Sequence, residues 1–438
     1  MPLYSCYQQG SYKSKPLMQK QIFFSIIIIG LIGSCQTTND NSGNQNLTEI
    51  SDSLTVELQN IYEQGFINGF SVAIVDKSGS LYQNGFGFAD KNLGKEFTEN
   101  SLINIGSITK TLVGLSLLKA QELELLSLDD PINDHLSFTV ENPYFPDEQI
   151  TIRQLTNHTS TIIDSDYFQE TCYVMLVEPD TSQTFRITVP DFFNNPEDTT
   201  SLANYMESML RVEADAYSKS GFLEAKPGDQ YQYSNTGAGL AALIIESVSG
   251  MSFAEFAILN ILKPLKMESS GWKRGNLDVD QFSKNYASID TVYADYHLVN
   301  YPDGGLLTSA ADLSNLLAEL IRGFDGTGSL LSSQSFRALY AKDVIKELFA
   351  DVEDDVIPEI NTRLDKGIFM ALGPKNAIGH TGADPGVVSF MFFNSETGIG
   401  KVLIVNMTID NPSQPAGVEL FAIWNKLREY QERLSKDS

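Results

Sequence analysis

Short apolar runs bounded by turn residues mark both ends of this chain, and helical spacing fills its middle. Phe70 to Val75 and Leu81 to Phe88, joined by Lys77-Ser78-Gly79-Ser80, predict a hairpin. Towards the other end, Gly367 to Leu372, Ala377 to Thr381, Val387 to Asn394 and Gly400 to Met407 are strand-like. Between them, Leu112 to Leu126 is apolar nearly all round, the pattern of a helix buried on most sides. Ser201 to Ala216, Gly237 to Ser249, Met251 to Leu262 and Ala310 to Arg322 are further helical stretches, with Pro264 stopping the third. Ser51 to Gln64, with Leu54, Leu58 and Ile61 on one face, predicts a first helix, and Ala416 to Leu434 a last one. Residues 163–200 show no period, and acidic Asp351 to Glu359 reads as a surface loop. Strands at both ends with a helical middle predict an α+β fold. Its form is one antiparallel sheet flanked by helices, with an inserted, mainly helical subdomain.

The first 50 residues carry a different signal. Lys13, Lys15 and Lys20 precede the apolar run Ile22 to Ile32, followed by Gly33-Ser34-Cys35. That run is too short to span a bilayer and suits a signal peptide, with the start placed at Met18. Ile-Gly-Ser-Cys resembles a bacterial lipobox, in which Cys35 takes the lipid. The expected organisation is a lipoprotein-type signal over 1–35, a flexible polar linker over 36–50 and a catalytic domain over 51–435. Such a protein is extracytoplasmic and held to a membrane by its lipid, in the periplasm or at the cell surface. Composition allows a large core, at 42% hydrophobic and 20% charged residues. Beyond residue 35 the chain holds 27 bases against 56 acids, a balance that opposes nucleic acid and anionic lipid as partners. Cys172 is left without a sequence partner once Cys6 and Cys35 are set aside, and reads as a small buried hydrophobe.

The chemistry centres on Gly106-Ser107-Ile108-Thr109-Lys110-Thr111, which follows an extended run and opens the Leu112 helix. Ser107 lies near a helix N-terminus, where free N–H groups favour developing negative charge. Lys110 shares its helix face and can take the serine proton if its surroundings lower its pKa. Ser-x-x-Lys occurs three times, at Ser107/Lys110, Ser116/Lys119 and Ser270/Lys273. Ser116 points about 180° away from Ser107 on the same helix. What singles out Ser107 is the pair of motifs downstream, Tyr233-Ser234-Asn235 and His380-Thr381-Gly382.

With these three motifs the chain resembles the class C β-lactamase, DD-peptidase and esterase family of serine hydrolases. The resemblance runs from about Phe70 to Met407 and takes in Leu128-Asp129-Asp130-Pro131, Thr151 to Leu155 and Gly304 to Ser309. It implies acyl transfer through an acyl-serine. Ser107 is the implied nucleophile, and the base role is open between Lys110 and Tyr233, the latter also protonating the leaving group. Asn235 is expected to hold Lys110 and the substrate amide by hydrogen bonds. His380, Thr381 and Gly382 line the substrate edge, and the backbone N–H groups of Ser107 and Ala383 form the oxyanion hole. His380 replaces the lysine of many members and attracts a substrate carboxylate less, which weakens a β-lactamase reading. His158, in Asn157-His158-Thr159-Ser160, matches a family turn usually followed by glycine, where Thr161 stands here. It reads as structural.

The expected function is therefore hydrolysis of an ester, an amide or a D-amino-acid peptide. A class C-like β-lactamase is the alternative enzyme, and a penicillin-binding sensor or scaffold without turnover the alternative of another class. No cofactor is implied, and no Cys/His cluster suggests a metal. The expected partner is a small molecule or short peptide.

Overall fold

The computed structural model describes residues 42–179, 186–341, 365–373 and 376–434. The expected signal segment, Cys35 and the acidic stretch 351–359 lie outside them. The architecture is α+β, as the pattern predicts. Among the described residues eight strands form the main sheet, in the spatial order Asp365–Gly367, Met370–Leu372, Ala377–Asp384, Val387–Asn394, Ile399–Val405, Gly69–Asp76, Gly79–Asp90 and Lys95–Glu96. The two ends of the chain meet at its centre, where Phe70 to Val75 pair antiparallel with Val405 to Gly400.

Both faces of that sheet are covered, which is why its strands are continuous apolar runs rather than alternating ones. Phe70, Val72, Ile74, Leu403 and Val405 face the terminal helices Ser42–Tyr62 and Pro415–Leu434, packing with Leu54, Leu58, Ile423, Trp424 and Leu427. Ala73, Val75, Val402 and Ile404 face the other way, onto Leu313, Leu316 and Leu317 of the helix Ala310–Asp325 and onto the core of the helical subdomain. The helix Lys110–Glu122 runs through that core, with Leu112, Val113, Leu115, Leu117 and Leu118 all fully buried.

Four elements differ from the pattern-based expectation. The stretch expected to be a flexible linker over 36–50 is helical from Ser42 onward. Once Leu54 and Leu58 are docked and the helix is nucleated, extending it by polar residues costs little. Gly367 to Leu372 is not one strand but the end of one and the whole of the next, Asp365–Gly367 and Met370–Leu372. Between them Phe369 turns at φ 48°, donates its N–H to Thr156 O and lays its ring beside His158. The helix after Met251 is α only over Phe253–Ala257 and continues as a π-turn, Ile258–Leu262. The helix after Ser201 ends at Leu210. Residues 163–200, without a period in sequence, hold the helix Asp166–Thr171 and short strands at Tyr173–Met175, Arg186–Thr188 and Phe193–Asn194.

Candidate active site

Ser107 sits on a 3-10 turn, Gly106–Thr109, that passes directly into the helix Lys110–Glu122. Gly106 takes φ 55°, and a Cβ added there would stand 2.6 Å from the backbone N of Ala383. Only glycine therefore lets the Ser107 turn lie against the strand Ala377–Asp384. Gly382 is needed from the other side, since a Cβ on it would meet Ile105 O at 1.9 Å. Ser389 Oγ donates to that same carbonyl, at 2.6 Å, and pins the turn to the sheet. That strand pairs with Val387–Asn394 along its whole length. On its other edge Ile378 and Gly379 pair with Leu372 and Ala371. From His380 to Asp384 that edge faces the Ser107 turn.

Lys110 is completely buried. Its Nζ donates to Ser107 Oγ at 2.9 Å and to the backbone O of Asp303 at 2.7 Å. Burial pushes the ammonium below the ordinary lysine range, against the raising pull of Asp303, Asp164 and Asp384. The same Nζ lies 5.1 Å from the centroid of the Tyr233 ring. Tyr233 is stacked in turn on His158, with ring centroids 4.4 Å apart. His158 Nδ1 accepts the Ser234 N–H at 3.2 Å, so this histidine is the support of the Tyr233 segment. Thr161 adopts φ 68°, and its hydroxyl accepts from Asn142 Nδ2 at 2.8 Å and donates to Ser160 O.

Ser234 caps the helix Asn235–Ser249, its Oγ accepting from Gly237 N at 2.8 Å. A cap of this kind contributes about 1 kcal/mol. Asn235 departs from expectation. Its hydrogen bond to Lys110 is not formed; Asn235 Nδ2 donates to Asp164 Oδ2 at 2.8 Å, and Asp164 Oδ1 also accepts from the N–H and the hydroxyl of Thr236. The reason is electrostatic. A carboxylate at a helix N-terminus takes the free N–H groups and draws the neighbouring carboxamide to itself. Asn235 O then accepts from Asn300 Nδ2, which also donates to Asp303 Oδ2 at 2.7 Å. The route from Asn235 to Lys110 thus passes through Asn300 and Asp303.

His380 is nearly buried, with its ring centroid 6.4 Å from that of Tyr233. Its Nδ1 lies 2.5 Å from Thr381 O. A carbonyl only accepts, so Nδ1 carries the proton and Nε2 is the acceptor nitrogen of the neutral ring.

Sequence reasoning passed over the buried carboxylates around Lys110. Burial pushes the Asp303 carboxyl well above the usual range and raises Asp164 as well. Burial also raises Asp384, to about 7. Each stands beside a recognised motif: Asp303 before Gly304-Gly305, Asp384 two residues after Gly382, Asp164 in the stretch after His158. Adjacency to a motif was their one signal. Of the other Ser-x-x-Lys pairs, Ser116 is buried on the helix Lys110–Glu122, and Ser270 donates to Asp312 at 2.7 Å. Cys172 is buried with its thiol pKa pushed up, an unreactive environment.

A family model described as Beta-lactamase matches residues 57–420. The chain belongs to the beta-lactamase family. Among its relatives is Protein flp of Staphylococcus aureus (strain COL), 24% identical over 351 residues, or 79% of this chain and 61% of that one. The chain thus spans about three-fifths of that relative's length. Penicillin-binding protein 4* of Bacillus subtilis (strain 168) is 28% identical over 76% of this chain and 68% of its own. The solved structure of D-amino acid amidase from Ochrobactrum anthropi SV3 shares the fold, with a TM-score of 0.62 at 19% identity over 88% of this chain and 99% of that one.

Proposed function

We propose that this beta-lactamase-family chain is a serine hydrolase that forms an acyl-serine at Ser107. The observation that carries this reading is the 2.9 Å contact between Lys110 Nζ and Ser107 Oγ, inside a core that disfavours the lysine's charge. As Ser107 Oγ attacks the acyl carbon, its proton passes to the Lys110–Tyr233 pair. The backbone N–H groups of Ser107 and Ala383 hold the oxyanion. Tyr233 delivers the proton to the leaving amine or alkoxide as the carbon–leaving-group bond breaks. Water then repeats the sequence on the acyl-serine. Parallel assays on a short acyl ester, a D-amino-acid amide and a chromogenic cephalosporin test the proposal; turnover of none of them overturns it and favours a scaffold. The name of the amidase neighbour supports including the second substrate.

His380 bears on the choice between a peptidase or esterase and a β-lactamase. With Nδ1–H turned to Thr381, the neutral ring offers a substrate carboxylate no donor at Nε2. His380→Lys supplies a permanent cation. At about 1 kcal/mol for such a pair, kcat/KM for a penicillin or D-Ala-D-Ala peptide should rise about fivefold, and that for a neutral ester not at all. Equal effects on both would show that this position does not meet the carboxylate.

We also propose that the mature protein is a lipoprotein, on the strength of the apolar run ending in Ile32-Gly33-Ser34-Cys35. Cys35→Ser should leave an unprocessed precursor or release the protein from membranes. Normal processing with unchanged membrane fractionation would remove the claim.

A further inference from the structure

On the strand Ala377–Asp384, side chains alternate, so His380, Gly382 and Asp384 share one face. Gly382 is pressed against Ile105, so that face looks onto the Ser107 turn. His380 and Asp384 therefore flank the nucleophile on opposite sides, about 13 Å apart along the strand. Tyr233, which serves the leaving group, lies at the His380 end. The acyl portion of a substrate must then extend the other way, towards Asp384.

What waits there is a carboxylate in an aromatic surround. Asp384 Oδ1 accepts from Tyr173 Oη at 2.8 Å, and Oδ2 from Asn104 Nδ2 at 3.1 Å. Two neutral donors occupy half of the roughly four acceptor positions of a carboxylate. Among the described residues no lysine or arginine forms an ion pair with Asp384. The Tyr173 ring packs against Tyr296 at 5.5 Å, Phe192 at 5.6 Å and Phe193 at 5.9 Å between centroids. Phe192 is partly exposed, so the cluster reaches the surface. An acidic group beside aromatic faces is the chemistry that recognises an ammonium ion. Lys110 acts on Asp384 only from a distance, since its Nζ donates to Ser107 and Asp303.

Resting on the acyl-serine reading above, we propose that Asp384, with Tyr173, binds the protonated amine of an aminoacyl donor. The substrates of this site are then amides, esters or peptides whose acyl residue carries a free amino group. Asp384 is a specificity-determining residue: it touches the substrate away from the reacting carbon. An ammonium placed there holds the Asp384 carboxyl ionised and supplies the charge it lacks.

The test compares the full chain on alanine p-nitroanilide, as each enantiomer, with its N-acetylated counterpart, and on p-nitrophenyl acetate as an ester without an amine. The wild type should prefer the free amine over the acetylated form by at least about tenfold in kcat/KM, expressed mainly in KM. A ratio at or below one in the wild type overturns the proposal without any variant. In Asp384→Asn the ratio should collapse towards one through a rise in KM for the free amine. Tyr173→Phe should move it in the same direction by a smaller factor. If Asp384→Asn lowers free-amine, acetylated and ester turnover alike, Asp384 is structural and the proposal fails. If the wild type turns over none of the substrates and carries no label at Ser107, it is the acyl-serine reading that has failed.

Discussion

Ser107→Ala is expected to lower kcat/KM on every acyl donor by about 10⁴-fold or more and to abolish labelling by a fluorophosphonate. The magnitude follows from losing the nucleophile while the oxyanion donors and the cleft remain. The substitution removes one oxygen at a site that is almost fully enclosed, where the side chain accepts a hydrogen bond from Lys110. Folding should therefore survive, and an unchanged melting temperature would show it. Ser116→Ala is the matched control. That serine lies deep in the same helix, within a second copy of the Ser-x-x-Lys pattern, yet it faces away from the strand that carries Gly382 and Ala383. Its loss should leave labelling intact. Label persisting on the Ser107 variant at this helix would move the nucleophile elsewhere.

Lys110 gives the second large effect. Lys110→Met keeps the length of the side chain and removes the proton acceptor, and should cost about 10³-fold in acylation. Lys110→Arg is the more telling variant, because a guanidinium stays protonated at every accessible pH. If the lysine works as a base it must be neutral to do so, and burial already pushes it in that direction. Acylation by the wild type should then rise with pH as Lys110 loses its proton, with a midpoint below the ordinary lysine value of about 10.4. The groups facing it are Asp303, Asp164 and Asp384, all of which pull the midpoint back up, and the Tyr233 ring. Lys110→Arg should flatten that profile to near background. An arginine variant retaining a tenth of wild-type acylation would transfer the base role to Tyr233, with Lys110 left as its electrostatic partner. Pre-steady-state acylation by a p-nitrophenyl ester across pH measures both.

Much of this site was legible in the chain because its chemistry is local. Ser107 and Lys110 lie on one stretch, and helix geometry alone puts them within reach of each other. The helix expected from Gly237 is present and begins two residues earlier, at Asn235, with Ser234 capping it. The sheet was legible for a related reason. A strand buried on both faces has to be a short unbroken apolar run, and Phe70 to Val75, Val387 to Asn394 and Gly400 to Val405 are such runs. The hairpin at Gly367 to Leu372 misread as one strand shows the limit. Its turn is held by Thr156 and His158, residues some two hundred positions away.

What only the tertiary structure decided is the electrostatic setting of the site. Asp164, Asp303 and Asp384 are ordinary acids in a chain that has 56 of them, and no periodicity distinguishes a buried carboxylate from a solvated one. Packing brings all three towards Lys110 from segments far apart in the chain, and their burial makes them matter. It also drew Asn235 away from the lysine to Asp164 and set Tyr173, from a stretch with no readable period, on Asp384. Residue types and their spacing determined which atoms can react. Desolvation, which depends on everything folded around them, decided what charge those atoms carry and which substrates they would favour.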